Sequence, residues 1–139
     1  MIEYKERGIL IFSKISSENN LYLKILTQKD EIITGLSFGG STKKKKNIFQ
    51  IGYFLNTVIN NKNKNSPNSI SAELSKPYYH NIFNDRYKLH ALLALVSLLN
   101  ISIIEGQKVS GLFNLSEKII EKLENEKKWI INYFNFLLN

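Results

Sequence analysis

The sequence has no cysteine. That excludes a disulfide framework, thiolate ligands for zinc and a thiol nucleophile, and it suits a reducing cytoplasm. Histidine is nearly as scarce, present only as His80 and His90. His90 falls within an apolar helical run and reads as a core or boundary residue, while His80 sits in the aromatic linker "PYYHNIF" and reads as packing. With Asp85 they could form a metal triad only across a linker and a helix, so no metal site is expected. A membrane-spanning run is missing too. The longest nearly apolar stretch, Leu89 to Ile104, falls short of the roughly 20 apolar residues needed and is interrupted by His90, Ser97, Asn100 and Ser102. The N-terminal "MIEYKERGILIF" mixes acids and bases ahead of its apolar residues, so it does not read as a signal or transit peptide.

Nucleotide-binding signatures are absent as well. "GGSTKKKK" reverses the order of lysine and hydroxyl residue that a phosphate-binding loop needs, and no helix follows it; "GLSFGG" is no dinucleotide fingerprint. The carboxylates of "SEKIIEKLENEK" alternate with lysines at helical spacing, as on a solvated face. No catalytic residue, cofactor or small-molecule substrate is expected, and the chain reads as a binding protein rather than an enzyme.

What the chain has is positive charge, +7 net with a pI near 9.5, which points toward a polyanionic partner. The charge is unevenly placed. Residues 1–76 hold twelve bases against six acids, while residues 77–139 hold seven against six. The abundance of Lys, Asn and Ile suggests AT-rich codons as one source of basicity, so the position of the charge says more than its total.

Two periodicities divide the chain. The first half reads as five strands over Gly8–Ile15, Leu21–Leu26, Glu31–Gly40, Phe49–Ile59 and Ile70–Ser75, with Gly35 and Gly52 marking bulges or sharp bends. Five short strands with Gly-bearing turns predict a small barrel over residues 1–76. Lys76–Pro77 marks the switch, because Pro77 cannot donate to a ladder. Residues 77–139 read as helices. The first is capped at Asn84 or Asp85 and apolar almost all round, hence buried; the second has Leu112, Leu115, Ile119 and Leu123 on its inner face. The third carries Trp129, Ile130, Tyr133, Phe134, Leu137 and Leu138 and ends the sequence on an apolar run. Trp129, Tyr133, Phe134 and Leu137 are therefore expected to be only partly covered.

The run Lys43–Lys46 follows Gly39 and Gly40 and precedes Phe49, Tyr53 and Phe54. It reads as a nucleic-acid grip, a membrane-surface patch or a solvated hairpin tip. A small barrel of this kind binds single strands by tracking the backbone with basic residues while aromatic rings stack the bases. The expected phosphate contacts are Lys43, Lys44, Lys45 and Lys46, with Arg7, Lys14 and Lys24 where these face the same side. Tyr22, Phe38, Phe49, Tyr53 and Phe54 are stacking candidates, Tyr53 foremost, and core packing competes for each of them.

The segment from Glu6 to Phe54 resembles the start of the RecO recombination-mediator family. The features that carry the resemblance are Gly8 opening the first strand, Glu18–Asn19 before the second, Leu26–Thr27 with Asp30 at the turn, Gly35, Gly39–Gly40 with the basic run, and Gln50 with Gly52. "NDRYKLHALLALVSLL", "LFNLSEKIIEKLEN" and "WIINYFNFLLN" are similar to the helices that follow in that family. The resemblance implies an α+β protein with a five-stranded OB-fold barrel at residues 1–76 and a helical domain at 77–139. It also implies a cytoplasmic, nucleoid-associated, non-enzymatic DNA-repair role without cofactor. Single- and double-stranded DNA would be bound and complementary strands annealed, with RecR and the single-strand-binding protein as partners in loading RecA. Members of the family continue beyond this length, often with a cysteine-ligated zinc site, so a truncated chain is expected. An OB-fold that binds RNA, or an interaction scaffold whose lysines only solubilise it, are the alternatives.

Overall fold

The computed structural model describes residues 2–17, 19–40, 48–61, 66–75, 80–103, 107–126 and 129–138. Five strands come first: β1 (Ile2–Ser17), β2 (Asn20–Thr27), β3 (Ile32–Ser37), β4 (Phe54–Asn61) and β5 (Ser69–Leu74). Among the described residues four helices follow: α1 (His80–Phe83), α2 (Arg86–Ser102), α3 (Leu112–Asn125) and α4 (Trp129–Leu138). The strands close into a barrel in the order β1-β2-β3-β5-β4, so the expected α+β architecture, an OB-fold barrel followed by helices, is the one observed. The switch at Lys76–Pro77 falls outside the described residues; among those described, the last strand ends at Leu74 and the helix after it begins at His80.

β1 is longer than the alternation predicts because it serves two neighbours. Its first half pairs with β4 from Ile2↔Asn61 to Ile9↔Phe54, and its second half pairs with β2 from Gly8↔Thr27 to Ser17↔Asn20. The barrel closes where β3 meets β5 in parallel at Leu36↔Ser69. There Leu36 N donates to Asn68 O at 2.8 Å and Asn68 Nδ2 donates to Thr34 O at 2.9 Å. Gly35 permits this closure, since a Cβ at that position would lie 2.7 Å from Asn68 O. β4 starts later than expected. Residues 49–53 form a turn, with Gly52 at φ 89° and its backbone packed so closely on Leu92 that a Cβ would sit 2.8 Å from that side chain.

Two apolar cores result. Leu10, Leu21, Leu23, Ile25, Leu55 and Ile70 fill the barrel. The other core lies between the barrel's outer surface and the helices, where Ile9, Ile11, Leu26, Ile32 and Phe54 meet Leu92, Leu95, Leu99, Phe113 and Ile120. Among the described residues, the barrel thus buries side chains on both faces at one end, where the helices cover it, and on one face at the other.

Several helical expectations need correction. α2 is capped by Asp85, whose Oδ1 accepts from Tyr87 N at 2.9 Å and Lys88 N at 3.3 Å, but the helix is not buried all round: Tyr87, His90, Leu93, Leu98 and Ile101 are exposed. An apolar composition hides which face meets the barrel. In α3 the buried stripe is Phe113, Ser116, Ile119, Ile120 and Leu123, so Leu115, expected inside, is exposed. In α4, Trp129 is half-buried and Phe134 and Leu137 are exposed as expected, whereas Tyr133 is buried and its hydroxyl donates to Ala91 O at 2.9 Å.

Candidate nucleic-acid interface

A β-bulge sets the geometry of the basic face. Along β1 the register with β2 runs Leu10↔Ile25 and then Phe12↔Lys24, leaving Ile11 as the extra residue. Without it, Phe12 would follow Leu10 into the barrel, because strand side chains alternate with period 2. The extra residue moves Phe12 and Lys14 to the outer surface, beside Lys24 and Tyr22, an effect typical of bulges. Lys14↔Tyr22 and Phe12↔Lys24 are cross-strand pairs, and β3 extends both rows through Tyr22↔Leu36 and Lys24↔Thr34.

These residues make a mixed aromatic and cationic surface. Phe12 and Tyr22 are half-buried, with ring centroids 6.4 Å apart and planes at 72°. Lys24 Nζ lies 5.6 Å from the centre of the Phe12 ring, a cation–π distance. Lys14 is exposed, and neither Lys14 nor Lys24 forms an ion pair among the described residues. Phe12, Lys14, Ile15, Ser16, Tyr22 and Lys24 surround an open depression of about 490 Å³. Phe38 follows β3 directly and is 58% exposed. Gly39 N donates to Asn20 Oδ1 at 3.0 Å, which ties the start of the following turn to β2. Lys43–Lys46 come next in the sequence and lie outside the described residues.

Arg7 and Tyr53 are not brought to this face. Tyr53 is buried, with its ring edge-to-face against Phe83 at 5.5 Å. Phe49 and Phe54 are buried as well. The Arg7 guanidinium pairs with Glu117, donates through Nε to Ser75 Oγ at 2.8 Å, and lies 5.2 Å and 5.6 Å from the ring centres of Phe54 and Phe113. It fastens the barrel to α3. A second latch works beside it: Asp30, at φ 64° in the β2–β3 turn, accepts from Gly111 N and Phe113 N, each at 2.8 Å. The N-cap of α3 is Gly111, which has no side chain to cap with, so the turn caps the helix from outside.

Another depression, of about 650 Å³, lies along β1, β4 and β5 and suits a polyanion less well. Its basic residues Lys5 and Arg7 are accompanied by Glu6 and Glu73. Glu6 is buried, with Oε1 2.9 Å from Lys29 Nζ, and that bond holds the Lys29 ammonium above its ordinary pKa. On the helical side, α2, α3 and α4 frame an apolar groove of about 430 Å³. Leu98, Leu115, Ile119 and Leu137 line it, and Lys118 and Lys122 stand on its rim. Among the described residues no cluster of His, Asp and Glu could hold a metal ion, and no helix is long and apolar enough to cross a membrane.

No family model matches the chain. Curated relatives do. The chain is 25% identical over 138 residues to the DNA repair protein RecO of Wolbachia pipientis wMel, covering 99% of this chain and 57% of that protein. It is 26% identical over 136 residues to the protein of the same name from Orientia tsutsugamushi (strain Ikeda), covering 98% and 55%. With that of Hyphomonas neptunium (strain ATCC 15444) it shares 25% over 142 residues, covering 99% and 57%. The chain therefore spans a little over half the length of these relatives. Matches of this extent, all bearing one name, support assignment to the RecO family.

Proposed function

We propose that this RecO-family chain binds DNA through the outer face of β1 and β2 and serves as a recombination mediator in DNA repair. The observation that carries the reading is the pairing of Lys14 and Lys24 with Tyr22 and Phe12 on one uncovered barrel surface. Lysines track phosphates without reading bases, so the contact is independent of sequence. Lys43–Lys46, which follow Phe38 in the sequence, would extend the same grip. Arg7 contributes indirectly by holding the barrel against α3. A mediator of this kind brings complementary strands together by neutralising both, and it needs neither nucleotide nor cofactor.

The groove between α2, α3 and α4 favours a second activity on the same molecule, docking of a protein partner. Apolar walls with two rim lysines suit a short apolar segment that carries carboxylates, the chemistry of the acidic, Phe-ended tail of single-strand-binding protein. RecR binding and RecA loading would then follow from bringing DNA and partners together.

Annealing of complementary oligonucleotides tests the proposal. The 139-residue chain should accelerate annealing, and Lys14→Glu with Lys24→Glu should abolish the acceleration while leaving thermal unfolding intact. An unaltered annealing rate in that variant would remove the barrel face from the function. If RNA is bound more tightly than DNA, the RNA-binding alternative replaces repair.

A further inference from the structure

We infer that the depression along β1, β4 and β5 receives an arginine side chain of a protein partner, with Glu6 as the carboxylate that holds it and Lys29 as the group it displaces. The inference does not rest on the DNA-binding role, whose residues lie on β2 and on β1 beyond the bulge.

Glu6 stands where a strand would ordinarily carry an apolar residue. Its cross-strand row is Glu6↔Thr57↔Ala72, next but one to Tyr4↔Ile59↔Ile70, which packs into the barrel core. The carboxylate is therefore deeply placed, and Glu6 is only 4% exposed. Its two oxygens are unequally served. Oε1 has Lys29 Nζ at 2.9 Å, whereas Oε2 is buried and accepts no hydrogen bond among the described residues. Thr57 does not supply it, because its hydroxyl donates to Glu6 O at 2.6 Å. A buried carboxylate oxygen without a donor is unfavourable. An ammonium is a point charge and here serves one oxygen. A planar guanidinium offers two parallel N–H groups and serves both. Exchange costs Lys29 little, because its side chain is already 65% exposed and its ammonium returns to water. The turn need not move, since Thr27 Oγ1 accepts from Lys29 N at 3.3 Å and Asp30 holds α3.

The surroundings fit a polypeptide around that arginine. Glu6 lines the depression of about 650 Å³, a volume that takes several residues rather than one guanidinium. Gln28, Asn56 and Ser71 offer hydrogen-bonding groups along it. Glu73 is exposed and forms no ion pair among the described residues, so it adds a second carboxylate for a cationic segment. The nearby Arg7 is already engaged by Glu117. Lys5, exposed on the next outward row, meets a carbonyl or carboxylate of the same segment.

Titration of the isotope-labelled 139-residue chain, followed by amide shifts in NMR spectra, tests the inference. The probes are acetyl-Gly-Arg-Gly-amide, its lysine and citrulline counterparts, and guanidinium chloride. The arginine peptide should shift the amides of Gln28, Lys29 and Thr57 and bind about tenfold more tightly than the lysine peptide, as a second charge-assisted hydrogen bond implies. The citrulline peptide keeps the shape without the charge and should not bind. Lys29→Ala should lower the unfolding midpoint slightly yet tighten arginine-peptide binding about tenfold, because a competing ammonium is gone. A merely structural ion pair would show the first effect without the second. Glu6→Gln should abolish binding. Equal binding of the arginine and citrulline peptides would overturn the inference, as would Lys29→Ala without tightening or binding that survives Glu6→Gln. Guanidinium chloride that binds as tightly as the arginine peptide would overturn the protein source of the ligand. If Glu6→Gln proves unfolded by circular dichroism, Lys29→Ala decides alone: tightening supports the exchange, and its absence overturns it.

Discussion

Removing the Asp30 carboxylate should loosen α3 from the barrel by an amount that depends on the replacement. Asp30 supplies both acceptors for the first turn of that helix, at Gly111 N and Phe113 N. An N-cap is worth about 1 kcal/mol and up to about 2. A charged acceptor adds strength, which water partly replaces at a half-buried site such as this one. Asp30 also sits at φ 64°, where Asp and Asn are tolerated, Gly is unstrained and Ala pays roughly 1 kcal/mol. Asp30→Ala should therefore cost about 3 kcal/mol, Asp30→Gly about 2, and Asp30→Asn, which keeps one acceptor, about 1. For a chain of this length those losses correspond to about 4 °C of Tm per kcal/mol. Urea unfolding followed by circular dichroism and by Trp129 fluorescence would measure them. If alanine and glycine both leave the midpoint unmoved, the turn does not cap the helix energetically; if alanine proves milder than glycine, the left-handed backbone at Asp30 carries no strain.

Arg7→Met should destabilise the chain by about 2 kcal/mol, because the Arg7–Glu117 ion pair is lost and the Phe54 and Phe113 rings lose the guanidinium beside them. The salt dependence of DNA binding should not change in that variant, which titration at several salt concentrations checks. Stability should also fall above about pH 10. Burial raises the pKa of Tyr133 and, with Glu6 assisting, that of Tyr4 above the ordinary 10.0, and the Glu6 bond raises Lys29 above 10.5. A folded-state pKa that is raised gives stability intact below the ordinary value and lost as pH climbs through the folded one. Tyr133→Phe should flatten part of that decline in unfolding midpoints measured from pH 8 to 11, and an equally steep decline would contradict the assignment.

Much of the barrel is legible in the sequence because its signal is local. Leu21, Leu23 and Ile25 alternate with Tyr22 and Lys24, and that period alone fixes which face of β2 turns inward. Gly52 stands at a sharp bend, as a glycine inside an apolar strand pattern suggests, whereas Gly35 lies in unbroken register and is there because Asn68 comes close. Phe12 was not legible. One extra residue in β1 reverses the parity of everything beyond it, and no residue in "GILIFSKI" announces where the bulge falls. The capping of α3 by Asp30 was hidden for a different reason, since the donor and acceptor lie about 80 residues apart in sequence and meet only through packing. Arg7 reads in the sequence as one phosphate contact among several, but the fold brings Glu117 and the Phe54 and Phe113 rings against it from segments far along the chain. In α3 the leucines suggested one inner face, but Phe113 and Ile120 are larger or better placed and rotate the helix so that Leu115 lines the groove instead.

The central claim, that lysines on the uncovered barrel face hold DNA phosphates, is tested most directly by the salt dependence of single-strand binding. Each phosphate contact contributes about 0.7 to the log–log slope. Replacing Lys14 and Lys24 by Ala should shrink the slope by about 1.4, and replacing Lys43–Lys46 by Ala should shrink it by about 3 if all four touch phosphates. The loss should be the same for strands of different sequence. An unchanged slope in both variants would contradict the account and leave the lysines as a solvated surface.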